Sequence, residues 1–207
     1  MPKVISGSPQ QAAHSLRPAG FDFTSRMRLL CADMIARTPE LAHVDLSGVA
    51  VTFSQARKGV SWGMYASLTP LRFAGGALTT LRRGKQYQVQ RIADGSGREM
   101  LYLLSFYLPR FMNLVFREKL ITVFHELWHI GPLFDGDLRR HEGRCFAHTH
   151  SQAQYDREMG VFVDRWQAQT PDPQLWSFLQ HSFQDLHAAA GPIYGMRVKR
   201  PKLVPVS

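Results

Sequence analysis

His125-Glu126-Leu127-Trp128-His129 is the run in this chain whose residue types and spacing best define a chemistry. Two histidines four positions apart on a helix lie one above the other, so both imidazoles can reach one cation. Neutral imidazole suits zinc better than harder ions. Glu126 follows His125, about 100° further round a helix. From there its carboxylate meets a metal-activated water rather than the metal, which is the place of a general base. Ile121, Val123, Phe124, Leu127, Trp128 and Ile130 crowd the same stretch. Imidazoles among such apolar residues need partners, and a metal ion supplies one. The expected assignment is His125 and His129 as metal ligands, Zn2+ as the ion, and Glu126 as the catalytic residue of a metal-assisted hydrolysis.

A catalytic zinc site takes three protein ligands and keeps a fourth position open. His148 ranks first as the third ligand, because it stands just before the next expected helix, where a turn presents it. His150, His141 and Glu158 follow. The longer pattern that adds a glycine three and a histidine six residues after the second histidine is not met, since Pro132 and Asp135 stand there. Asp135 and Asp137 either orient ligand histidines or cap a turn. Arg139, Arg140 and Arg144 suit a substrate carboxylate or the neighbouring aspartates. Tyr155 either polarises a scissile carbonyl or packs in the core.

These residues need elements to position them. Met27, Leu30, Cys31, Met34 and Ile35 recur at helical spacing over 25–37, behind Thr24 or Ser25 as cap. Val49, Val51 and Phe53 alternate as in a strand. Residues 63–73 read as extended, with Pro70 marking an edge strand or bulge. Tyr87, Val89 and Arg91 alternate, Asp94-Gly95 turns, and 100–107 (MLYLLSFY) is a buried strand stopped by Pro109. A long apolar helix is expected over 112–130, ended by Gly131-Pro132, with further helices over 151–167 and 173–190. Helix, then strands, then helices predicts an α+β chain with helices packed on a small sheet. Its expected organisation is a disordered leader at 1–20, a domain at 21–192 and a basic tail at 193–207.

With 207 residues, 44% hydrophobic and 20% charged, the chain has the composition of one globular domain. Two cysteines cannot make a disulfide framework and fit a reducing compartment, so a cytoplasmic location is expected. No apolar run is long enough for a membrane span, and the N-terminus lacks the apolar core of a secretory signal. The formal net charge is +9, and within 61–121 nine basic residues face three acidic ones. Such a surface attracts polyanions, which makes nucleic acid a candidate partner beside a peptide or protein substrate. A monomer is expected.

The stretch from about Gly63 to Met159 resembles the phage-type metallopeptidase domain, a zincin group of phage and bacterial genomes. GMYASLTPLRF (63–73), YLPRF (107–111), EKLITVFHELWHI (118–130), FDGDLRRHEGR (134–144) and AHTHSQAQYD (147–156) carry the likeness. It implies a zincin-like fold, in which the HExxH helix packs on a small mixed or antiparallel sheet and further helices follow. The edge strand of that sheet pairs with an extended peptide. It also implies that His148 completes the metal site, although Thr149 stands where a small residue such as glycine is expected, which keeps His150 open. In outline the domain is similar to SprT-like zinc proteases, some of which act on DNA-bound proteins. The expected function is therefore a zinc-dependent metallopeptidase. The alternatives are a DNA-associated zinc protein and a non-catalytic zincin binding module, and the intact Glu126 argues against the latter.

Overall fold

The computed structural model describes residues 19–55, 63–140 and 152–206, with 152–156 described in backbone only. Among them the chain is mixed α+β, with five α-helices and three small sheets. The apolar run MLYLLSFY supplies β6 (Tyr102–Leu108), the central strand of the main sheet. Such a run suits a strand covered on both faces. On one side β2 (Val49–Gln55) pairs with it in parallel, from Val49↔Tyr102 to Gln55↔Leu108. On the other side β3 (Ala66–Pro70) pairs antiparallel, from Ala66↔Phe106 to Pro70↔Tyr102. β3 is the edge strand, as Pro70 anticipates, since a proline there removes no ladder bond. Thr52 and Ser105, the buried polar residues of these strands, share a hydrogen bond of 3.0 Å.

The two faces of this sheet pack differently. Val49, Val51, Tyr102, Leu104 and Phe106 join the main core beneath the helices, whereas Ala50 and Leu103 join a smaller cluster with Leu71 and Met100. Helix α1 (Phe23–Ala36) opens with Phe23, which meets Phe53, Phe106, Phe111 and Phe178 edge-on. Its cap is Asp22, not Thr24 or Ser25: the Asp22 carboxylate accepts from the Ser25 amide at 3.1 Å and the Ser25 hydroxyl at 2.7 Å. Thr24 is buried and accepts from the Met196 amide at 2.9 Å.

Two expected helices are broken. The 112–130 helix becomes a 3-10 turn at Phe111–Asn113 followed by α2 (Phe116–Trp128). Phe111 and Met112 are fully buried, and Phe111 packs on Phe106 at 4.8 Å, so the turn bends to feed both into the core. Helix α3 (Gln152–Ala168) agrees with its expected span. The 173–190 helix divides into α4 (Pro173–Trp176), a 3-10 turn at Ser177–Gln180 and α5 (Phe183–Ala190). Ser182 and Asp185 form a reciprocal capping box that starts α5 afresh. The interruption frees the Leu179 and His181 carbonyls, and each accepts from the buried Lys119 ammonium at 2.7 Å.

The remaining strands form two smaller sheets. A hairpin joins β4 (Thr79–Arg82) to β5 (Lys85–Val89) through Arg83-Gly84, both at positive φ as a two-residue hairpin turn requires. β5 lies at the start of the 87–91 alternation, while β4 carries one apolar residue in four and shows no periodicity. β1 (Phe21–Asp22) pairs in parallel with β7 (Ile193–Tyr194), and β8 (Leu203–Pro205) pairs antiparallel with β5. No helix among the described residues is long and apolar enough to cross a membrane.

Candidate metal centre

Helix α2 sets Leu120, Val123, Phe124 and Leu127 into the core. Phe124 and Trp128 also lean on Phe162 of α3, at 5.9 and 5.1 Å between ring centroids. That packing fixes the rotation of the helix and leaves His125 and His129 together on its half-buried flank. Their rings stand 4.6 Å apart, nearly perpendicular at 83°. His125 closes the last turn of α2 and His129 is its C-cap, still in helical conformation, so the four-residue spacing keeps its geometry.

Glu126 turns from the same helix toward β3 and is only 8% exposed. Burial pushes its carboxyl up to about 7, against a hydrogen bond from the Leu68 backbone that pulls the other way. The Leu68 contact locates the carboxyl. The Tyr107 amide donates to Tyr65 and the Leu71 amide to Leu101, so residues 65, 67, 69 and 71 are those that exchange bonds with β6. Ala66, Leu68 and Pro70 therefore turn their backbone groups to the outer edge. Glu126 thus reaches the open side of the edge strand.

The loop after α2 fastens its C-terminal end. Arg139 donates from its side chain to the Trp128 carbonyl at 2.8 Å, lays its guanidinium 3.9 Å from the Trp128 ring, and bonds through its amide to the His129 carbonyl at 2.8 Å. Ile130 and Leu138 form a bridge, and His43 reaches the Ile130 carbonyl at 3.4 Å. Burial, with Arg139 nearby, holds His43 below the ordinary histidine value. Asp135 caps the turn by accepting from the Asp137 amide at 3.0 Å. Asp137 receives the Arg140 guanidinium at 2.8 and 3.0 Å, the Gly75 amide and the Leu138 amide. Burial alone would raise its carboxyl, but these donors outweigh it and hold the group below its usual range. Among the described residues, then, the aspartates build the turn and the two arginines brace it.

His141, Arg144, His148 and His150 lie outside the described residues, as does the Tyr155 side chain. Glu158 is exposed on α3. Among the described residues, no three His, Cys, Asp or Glu come together as a metal site. The structure brings the His125 and His129 rings together and sets the Glu126 carboxyl against the Leu68 backbone of β3. Sequence reasoning missed His43 and the Leu68 contact, since both join residues far apart in the chain. Compared with protein-family models, curated proteins and solved structures, the chain finds no match in any of the three.

Proposed function

We propose that this chain is a zinc-dependent metallopeptidase with a zincin-like active site, resembling the phage-type metallopeptidase domain and acting in the cytoplasm as a monomer. The observation that carries the reading is the place of Glu126, buried on the turn of α2 that joins His125 to His129, with its carboxyl against the open edge of β3. A shielded carboxyl on the same helical turn as two neighbouring imidazoles is costly in a core and useful at a hydrolytic centre. The donor chemistry fits Zn2+, which His125 and His129 would hold with His148 as the third ligand. Bound there, zinc would supply Lewis acidity and water activation at neutral pH.

The chain's own residues do the rest. The outward amide and carbonyl of Ala66 and the carbonyls of Leu68 and Pro70 offer main-chain hydrogen bonds to an extended peptide, largely independent of its side chains. A peptide laid along that edge passes the Glu126 carboxyl, which takes a proton from the attacking water and returns it to the leaving amine. Apolar packing around α2 keeps bulk water from the carboxyl and preserves its basicity.

Metal analysis by mass spectrometry and a peptide-cleavage assay test this together. Wild type should carry about one zinc per chain, lost in both His129→Ala and His148→Ala. Glu126→Gln should keep the zinc and lose roughly 100- to 10,000-fold in cleavage rate. A wild-type protein that takes up no zinc on addition, or a Glu126→Gln variant with full activity, would overturn the assignment. Zinc retained in His148→Ala alone would move the third ligand to His150, His141 or Glu158.

A further inference from the structure

The chain's positive charge is concentrated in two segments. Residues 79–93 and 195–206 contain eight of the 25 lysines and arginines and no aspartate or glutamate, and the other basic residues nearly balance the 16 acidic ones. The segments lie more than a hundred positions apart, yet the fold joins them. β5 pairs with β8, and the Gln90 amide donates to the Lys202 carbonyl at 2.8 Å. Val89, Ile92 and Val198 anchor this layer on the Ala50–Leu103 side of the main sheet, away from the core beneath α2.

The cations on this layer stand toward solvent. Arg82, Arg83, Lys85, Lys199, Arg200 and Lys202 are all exposed, and none makes an ion pair among the described residues. Arg82 and Lys85 sit directly opposite each other beside the hairpin turn. Like charges at such a pair destabilise a hairpin, a cost that an anionic partner would relieve. Gln86 and Gln88 alternate along β5 and Gln90 follows it; the register with β8 puts Val204 beside Gln88, and the Gln90 amide bonds the Lys202 carbonyl. This face therefore sets amide donors and acceptors around two separate apolar residues, Leu81 opposite Gln86 and Val204 opposite Gln88. Arg197 is already oriented at the border of the layer, 5.1 Å from the Phe53 ring and bonded to Gln55 at 3.3 Å. β5, Lys85–Val89, covers about 13 Å, or roughly four base-pair steps of a duplex.

We propose that the β4–β5–β8 layer binds nucleic acid by its phosphate backbone, without reading sequence. Unpaired cations at the hairpin end and along 199–202, with amides on the layer's glutamine face beside Lys202, match phosphate and sugar oxygens. An anionic membrane is the poorer fit, because the exposed Leu81 and the half-buried Val204 are set among amides and form no continuous apolar stripe to insert between lipids. The proposal does not depend on the metallopeptidase reading, since the surface lies on the other side of the main sheet.

Fluorescence anisotropy with the full chain and a labelled DNA duplex of about 20 base pairs tests it. If five phosphates are engaged, affinity should fall roughly 500-fold between about 50 and 200 mM salt, a log–log slope near −4.5. Two triple variants, Arg82→Gln/Arg83→Gln/Lys85→Gln and Lys199→Gln/Arg200→Gln/Lys202→Gln, should each reduce the slope by about 2 to 3. Their residues are exposed, so circular dichroism and zinc content should match wild type. Absence of binding at the lower salt, unchanged binding in both variants, or tighter capture by phosphatidylserine vesicles than by the duplex would overturn the proposal.

Discussion

Among the described residues, a hydrogen bond from the Leu68 backbone offsets the loss of water around the Glu126 carboxyl. Desolvation of a buried carboxylate lowers stability, and a carboxyl placed at such a site is a candidate for function. Glutamine keeps an oxygen for the Leu68 amide and carries no charge. In metal-free protein at neutral pH, Glu126→Gln should therefore raise the unfolding free energy by about 1–2 kcal/mol, read from urea melts. A loss of stability on that change would mean that Glu126 is a structural residue, held by contacts the amide cannot replace.

At the scale of elements, the turn from Gly131 to Arg140 decides how the end of α2 presents His129. Asp137 is its hub, holding the Gly75 amide on one side and the Arg140 guanidinium on the other. Its carboxyl is held below the ordinary range, so the folded state binds its proton less readily than the unfolded one. The stability it contributes is complete above the ordinary aspartate value near 4 and is lost as pH falls through the depressed folded value. Asp137→Asn should flatten the acid side of the stability profile and lower the denaturant midpoint at pH 7. A variant with the wild-type acid profile would show that the Arg140 pair carries none of the turn's stability. Gly131 belongs to the same device: a Cβ there would come within 2.7 Å of the Asp137 carbonyl.

Across the whole molecule, Lys119 ties α2 to the segment that follows α4. It is 2% exposed, and its two carbonyl partners come from residues sixty positions away. Burial pushes its ammonium down to about 8, with Asp185 opposing. With the folded value below the unfolded one, this group makes stability rise as pH climbs from about 8 toward the ordinary lysine value near 10.5. Replacing Lys119 by methionine should remove that rise, worth on the order of 2–3 kcal/mol, in melts run across this range. Identical slopes in wild type and variant would mean that the ammonium remains hydrated.

What could be read from the sequence was what depends on local spacing. The i, i+4 histidines, the Glu126 between them, the apolar run of β6, Pro70 at an edge and the α+β order all follow from periods of 3.6 and 2 or from one residue's backbone chemistry. The broken helices could not be read that way, because burial of Phe111 and Met112 and the Lys119 clamp override a helical pattern. The approach of Glu126 to Leu68, the bracing of His129 by Arg139, and the meeting of β5 with β8 join residues that no local rule relates. Only packing brings such partners together, since a side chain finds its tertiary neighbours by the shape and burial of the whole core.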